Sequence, residues 1–353
     1  MNEFQKAAEA FVSAGFAGLQ LRVDDEQGEW TGAAGVRELD DVAGPPVDGR
    51  FWAGSVAKTF TATVVLQLVG EGRLGLDAPV AEHLPELGLD GRITPRMLLR
   101  HTSGLFNYTG EYFPDGTIVP GIPATGAAWV ANRLRSYTAE ELVGLALSKP
   151  ARFEPGTDWS YSNTNYTLAT LLIERAGEGS YGEQMERRIL RPLGLTDTIL
   201  SGEVTDLPEP HSVGYYRYQD GDEWVVTDVS RQNLSMLLGA GGAISTTRDL
   251  HVFFAALNRG ELLPAELLAE MRTPHGPIDY GLGIFVQDLG PEYGGTVYHH
   301  NGGAPGGYGA LMYSSPDGRK TMTAGLTMGD APLDPAEFFP QALDTLVKAV
   351  FKS

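Results

Sequence analysis

The chain contains no cysteine, few basic residues for its length and no long apolar run. Without cysteine, disulfides, thiolate nucleophiles, iron–sulfur clusters and cysteine zinc sites are excluded, while the redox compartment stays open. Lys+Arg 26 against Asp+Glu 45 gives a formal charge of −19. Such a field repels phosphate backbones and anionic headgroups, so neither nucleic acid nor a membrane is expected as partner. The first ten residues lack the basic and apolar regions of a signal peptide, and no apolar stretch reaches transmembrane length. The chain as given reads as cytoplasmic, and a mature secreted form without its leader would look the same. No G-x-G-x-x-G follows a strand, and neither G-x-x-x-x-G-K-[ST] nor H-E-x-x-H occurs, so no nucleotide cofactor and no metal are expected. G-x-S-x-G is also missing, so a nucleophilic serine cannot sit on the elbow of the α/β-hydrolases.

What is present is an ordinary folded composition, 42% hydrophobic and 20% charged, in 353 residues. That length exceeds one typical domain and predicts two lobes or one large domain with an inserted subdomain. Apolar spacing predicts a helix over Glu3–Ala14, then a strand over Ala17–Val23 closing at the turn Asp24–Gly28. A helix is expected from Ser55 to Leu74, with Phe60, Val64 and Leu68 on one face. The middle reads as mostly helix and loop, with helices over Glu140–Leu147, Thr164–Ala176, Tyr181–Leu190 and Thr247–Leu257. After about Pro277 the pattern changes to strands, over Gly281–Val286, Thr296–His300, Gly309–Tyr313 and Thr321–Thr327, closed by a helix over Pro335–Lys352. Strands at both ends and helices between predict an α/β lobe built from residues 1–70 and 240–353. A helical lobe, residues 71–239, is inserted, and the active site lies in the cleft between them.

Three short stretches carry the chemistry. Ser55-Val56-Ala57-Lys58 opens the first long helix, where an i, i+3 spacing sets hydroxyl and amine side by side. Alone, Ser55 reads as a helix cap. Lys58, however, is one of only six lysines and lies in an apolar helix. A buried lysine tends to lose its charge, and a neutral amine can accept a serine proton. Tyr161-Ser162-Asn163 precedes the helix starting at Thr164. Alone it reads as a core tyrosine beside a cap, but a phenol near an amine can shuttle protons and an amide can hold a carbonyl. His300-Asn301-Gly302-Gly303 ends a strand, where glycines let another backbone approach closely or mark a turn. Because side chains alternate along a strand, at most one of His299 and His300 readily faces the cleft.

In this order, S-x-x-K, Y-x-N and H-x-G, the sequence resembles the serine penicillin-recognising enzymes. That family includes class C β-lactamases, serine D,D-carboxypeptidases, and related esterases and D-aminopeptidases. The resemblance covers most of the chain and is greatest to the Streptomyces-type D,D-carboxypeptidase branch. It extends through Phe51–Thr61, Leu98–Leu105 with His101-Thr102-Ser103-Gly104, Tyr161–Ala169, Pro192–Thr198 and Gly239–Leu250. It implies a β-lactamase/transpeptidase-like fold, α/β plus all-α, with an antiparallel sheet flanked by helices and a helical lobe inserted. It also implies Ser55 as acylated nucleophile, Lys58 as its proton acceptor, Tyr161 as proton donor to the leaving atom, and His300 as a group that shapes and polarises the site. Asn163 would hold the substrate amide, and the N–H groups of Ser55 and Gly303 would form an oxyanion hole. Whether Lys58 or Tyr161 is the base stays open, since a coupled pair shares its protons.

The chain departs from the family where carboxypeptidases of this branch place an arginine for a peptide carboxylate. Phe285 aligns there, Asn301 and Gly303 replace expected hydroxyls, and Met236 replaces an aromatic at the edge of the helical lobe. Phe285, Asn301, Gly303 and Met236 are therefore expected to line a substrate site that does not recognise a free carboxylate. The expected activity is a serine hydrolase or acyltransferase, taking a small-molecule ester, amide or peptide as acyl donor and water, an amine or an alcohol as acceptor. A D,D-carboxypeptidase, a D-aminopeptidase and a slowly turning over penicillin-binding module are the alternatives.

Overall fold

The computed structural model describes residues 2–113, 115–200, 202, 204–331 and 335–352. Its centre is a six-stranded antiparallel sheet in the order Gly28–Gly35, Phe16–Asp25, Thr321–Met328, Tyr308–Ser314, Thr296–Ala304, Phe285–Asp288. The first hairpin pairs directly with the last strand, Leu19 opposite Leu326 and Leu21 opposite Ala324, so the two chain ends share one sheet. Alternation sends Leu19, Leu21, Leu311 and Tyr313 to one face. There they meet Ala8 and Phe11 of the helix Glu3–Ser13 and Leu346 and Val350 of the helix Pro335–Phe351. The opposite residues, Ala310 and Met312, join the larger core around the helices Ala57–Gly70 and Thr247–Asn258. No helix among the described residues is long and apolar enough to cross a membrane.

The helix carrying Lys58 differs from its expected form. It is buried on every side rather than along one stripe, as a helix enclosed by other elements must be. Phe60 stacks on Phe253 with ring centroids 3.6 Å apart, and the helix Asn163–Gly177 packs against another side. Its threonines are satisfied internally: Thr59 Oγ1 donates to the Gly283 carbonyl at 2.8 Å, and Thr61 Oγ1 to that of Gly239 at 2.8 Å. The helix ends at Gly70 rather than Leu74. The Arg73 N–H returns to the Leu68 carbonyl through Gly72, whose φ of 70° is left-handed, in a glycine stop signal.

One further expectation is corrected. The strand expected over Gly281–Val286 runs over Phe285–Asp288, because Gly283 has φ 80° and lies against the Ala57–Gly70 helix, where an added Cβ would sit 2.5 Å from Ala62 Cβ. The middle of the chain, mostly helix and loop as expected, also carries a short ribbon. Tyr215–Asp220 and Glu223–Asp228 form an antiparallel ribbon across a two-residue turn, with Gly221 at φ 61°. Its aromatic and β-branched residues around Asp220-Gly221 are a hairpin pattern. A two-residue pairing, Phe51 with Ser245 and Trp52 with Ile244, draws the segment before Ser55 onto the one after Gly239.

Candidate active site

Ser55 lies in a single tight turn, Gly54–Val56, that leads into the helix Ala57–Gly70. It is not a helix cap: the cap positions are Ala53 for the turn and Val56 for the helix, and the Ser55 hydroxyl is engaged by Lys58. The strand Thr296–Ala304 crosses this turn backbone to backbone. An added Cβ at Gly54 would lie 2.6 Å from Gly303 carbonyl atoms, and one at Gly302 would lie 1.9 Å from the Ala53 oxygen and 3.1 Å from the Ser55 nitrogen. The glycines of the third stretch thus permit contact between strand and serine turn. Gly303 itself is exposed, with open space where a side chain would stand.

Lys58 is fully buried, and its Nζ lies 3.2 Å from Ser55 Oγ, 2.9 Å from Asn163 Oδ1 and 2.6 Å from the Ala240 carbonyl oxygen. Two of these partners only accept. A neutral amine has two hydrogens and one lone pair, so Asn163 and Ala240 take both hydrogens and the lone pair is left for the Ser55 hydroxyl. Burial pushes the Lys58 ammonium well below its ordinary pKa, because the charged form loses its hydration. The Tyr161 phenol hydrogen-bonds the Ser55 side chain, and its ring centroid lies 4.6 Å from Lys58 Nζ. Burial raises the phenol above its ordinary pKa, only partly offset by the bond to Ser55. Asn163 is oriented from both ends: Oδ1 receives Lys58, while Nδ2 donates to Thr109 Oγ1 at 3.4 Å.

His300 and His299 point to opposite faces, as alternation requires. The His300 ring is buried and has both nitrogens engaged, Nδ1 with the Asn301 carbonyl at 2.8 Å and Nε2 with the Tyr280 hydroxyl at 3.0 Å. As a carbonyl only accepts, Nδ1 carries the proton and Tyr280 donates to Nε2. Burial, with the nearby Lys58 charge, pushes this imidazole down to about 3. His299 is stacked between Phe285 at 5.0 Å and Tyr313 at 4.5 Å. Phe285 also meets Tyr280 edge-on at 4.6 Å. The Asn301 amide turns towards this same side and donates to the Tyr313 hydroxyl at 3.1 Å. Met236, expected at the cleft edge, is packed into the main core, and its carbonyl accepts from the Tyr108 hydroxyl at 2.8 Å.

Of the expected residues, the structure gathers Ser55, Lys58, Tyr161, Asn163 and the Gly303 backbone around one point. His300 stands beside it, Phe285 is stacked on His299 and reaches the site only through its edge contacts with Tyr280 and His300, and Asn301 and Met236 are engaged with protein partners. Three neighbours were not expected: His101, whose ring lies 4.3 Å from that of Tyr161; Tyr280, which bonds His300; and Thr109. His101 stood in a quoted stretch, whereas nothing local in sequence marked Tyr280. Among the described residues, no group of three or more histidines and carboxylates is placed to hold a metal.

A family model described as Beta-lactamase matches residues 4–338. Penicillin-binding protein 4* of Bacillus subtilis (strain 168) is 30% identical over 305 residues, covering 82% of this chain and 63% of that protein. The chain thus spans less than two-thirds of that relative's length. Among solved structures, a D-stereospecific amidohydrolase from Streptomyces sp. superposes with TM-score 0.84 at 35% identity, covering 99% of this chain and 98% of the other. A D-amino acid amidase from Ochrobactrum anthropi SV3 gives TM-score 0.81 at 25% identity, covering 99% and 97%. The fold, an antiparallel sheet with flanking helices, is the one the sequence resemblance implied.

Proposed function

The chain belongs to the β-lactamase family, and from that premise we propose that it is a serine hydrolase acting on small esters or amides through an acyl-Ser55 intermediate. The observation that carries this reading is the buried amine of Lys58, 3.2 Å from Ser55 Oγ, with its other contacts to pure acceptors. Lys58 Nζ takes the hydroxyl proton as Oγ bonds to the substrate carbonyl carbon. The carbonyl oxygen becomes an oxyanion held by the N–H groups of Ser55 and Gly303, a donor pair of which each member is typically worth about 3–4 kcal/mol. Collapse expels the leaving group, which takes a proton from Tyr161, and Lys58 returns its proton to that phenol. Water, or an amine or alcohol, then attacks the acyl carbon by the same steps in reverse.

Opposite shifts support assigning base to Lys58 and donor to Tyr161: burial favours the neutral amine and equally favours the neutral phenol. Asn163 orients Lys58 and the substrate amide, and His300, neutral and bonded to Tyr280, shapes the pocket wall. Phe285 in place of a carboxylate-binding arginine favours neutral leaving groups, with D-amino acid amides the first to test given the activities named for the two amidases. The site lies between an α/β lobe, residues 1–70 and 240–353, and a helical lobe, residues 71–239. A module that acylates and releases slowly is the second reading, favoured by the penicillin-binding relative.

A fluorophosphonate followed by peptide mass analysis tests the nucleophile, with an adduct on Ser55 expected and an adduct elsewhere overturning it. Steady turnover of a p-nitrophenyl ester that disappears in Ser55→Ala supports hydrolysis, whereas a single stoichiometric burst supports the slow module.

A further inference from the structure

The His101 imidazole is wholly buried, yet it belongs to no part of the reaction described above. It stands just past the helix Pro95–Leu99 with φ 65°, a left-handed conformation that a non-glycine residue adopts only where its surroundings hold it. Those surroundings are backbone bonds between two segments: Ser160 N–H to the His101 carbonyl at 3.0 Å, Gly156 N–H to Thr102 at 2.8 Å and Arg152 N–H to Gly104 at 2.7 Å. The segment 101–104 is thereby stitched to the stretch leading into Tyr161.

The side chain extends this stitching into the site. Nδ1 lies 3.2 Å from the Ser162 backbone N–H and 3.2 Å from Asn165 Nδ2, both of which donate, so Nδ1 is an acceptor and the proton resides on Nε2. Asn165 is held in turn by Ser103 Oγ, which donates to Oδ1 at 2.5 Å. The ring lies 4.3 Å from that of Tyr161 and 5.0 Å from that of Tyr280. Nε2 is buried with no hydrogen-bond partner. An unpartnered buried N–H is destabilising, and an apolar residue would remove that cost. What an apolar residue would forfeit is the acceptor for Ser162 N–H, in the peptide group that joins Tyr161 to Ser162 just before Asn163.

We propose that His101 is a positioning residue for the Tyr161–Asn163 segment. As the neutral Nε2–H tautomer, it fixes through Nδ1 the peptide that aims the Tyr161 hydroxyl at Ser55 and the Asn163 amide at Lys58. This rests on the acyl-Ser55 reading. A displacement of that segment by about 1 Å is enough to cost on the order of a hundredfold in rate.

Asparagine puts its amide oxygen where Nδ1 stands, whereas leucine supplies no acceptor and glutamine moves it out by one methylene. His101→Leu should slow fluorophosphonate acylation of Ser55 on the order of a hundredfold with KM for an ester little changed, and His101→Asn should restore the rate to within about threefold of wild type. If the leucine variant does not fold, His101→Gln against His101→Asn makes the same comparison, with asparagine at least about tenfold faster expected on the same grounds. Equal rates in the compared pair, or a folded His101→Leu as fast as wild type, overturn the proposal. Nitrogen NMR of the wild-type imidazole must also show Nδ1 as acceptor, and a proton on Nδ1 overturns it independently. A wild-type protein that never labels at Ser55 would instead overturn the acyl-serine reading, so the two failures are distinct.

Discussion

Replacing Lys58 by methionine keeps a long, buried, unbranched side chain and deletes only the amine. On the proposed acyl-Ser55 mechanism, the variant loses the group that receives the Ser55 proton in acylation. A positioned base typically contributes about 10²–10⁴ in rate, or roughly 3–5 kcal/mol of barrier. In folding, two acceptors, the Ala240 carbonyl and Asn163 Oδ1, lose a donor, each worth about 1 kcal/mol net. Relief of burying a polar amine offsets this by roughly 1–3 kcal/mol, so stability should stay within about 2 kcal/mol of wild type. The folded pKa of Lys58 lies well below 10.5, its ordinary value. Between these values the unfolded chain binds a proton that the folded chain does not, so wild-type stability rises with pH across that window. It falls as pH drops through the window, until the folded amine is protonated too. Lys58→Met should flatten this dependence. Rapid-mixing measurement of ester acylation should show a wild-type rate that rises through the lowered pKa and a variant rate without that limb. A folded Lys58→Met that acylates within about tenfold of wild type, with the limb retained, would refute Lys58 as base.

Three further substitutions probe separate contacts. Ser55→Ala should abolish turnover and leave the melting temperature nearly unchanged, since Ser55 caps no helix; a large loss of stability would show a structural role instead. Gly302→Ala puts a methyl group 1.9 Å from the Ala53 oxygen, so strand and serine turn must part. A loss of about 1–3 kcal/mol in a denaturant melt and a sharp fall in Ser55 labelling are expected, and wild-type labelling would disprove the close approach. Phe285→Arg should raise kcat/KM for peptides ending in a free carboxylate relative to their amides, and an unchanged ratio would mean that position 285 does not face the leaving group.

What was legible in the sequence was what short spacings determine. The i, i+3 pair Ser55 and Lys58, the alternation of His299 and His300, and the strands that unite the chain ends all follow from helix and strand periods. The helix stop at Gly70 and the shifted strand at Phe285 turn on Gly72 and Gly283, whose left-handed conformations override the apolar pattern around them. The ribbon Tyr215–Asp228 carried its signal in Asp220-Gly221, which the helical neighbourhood obscured. Tyr280 and His101 were beyond reach for another reason. Tyr280 meets its histidine 20 residues away, and His101 meets Ser162 61 residues away, and neither distance follows from a local period.

The same contacts explain why a pocket with three basic side chains can work with one proton. Lys58, His101 and His300 are all buried, burial disfavours each cation, and an ammonium on Lys58, once formed, further lowers both imidazoles. The histidines therefore stay neutral, each with a tautomer set by its acceptors and donors. Lys58 alone is surrounded by groups that stabilise an ammonium once formed: two carbonyl oxygens within 2.9 Å and the face of Tyr161 at 4.6 Å. On the acyl-Ser55 proposal, a proton leaving Ser55 thus has one favourable destination. On the same proposal the neighbouring phenol, itself kept protonated by burial, is the group that passes a proton to the departing atom.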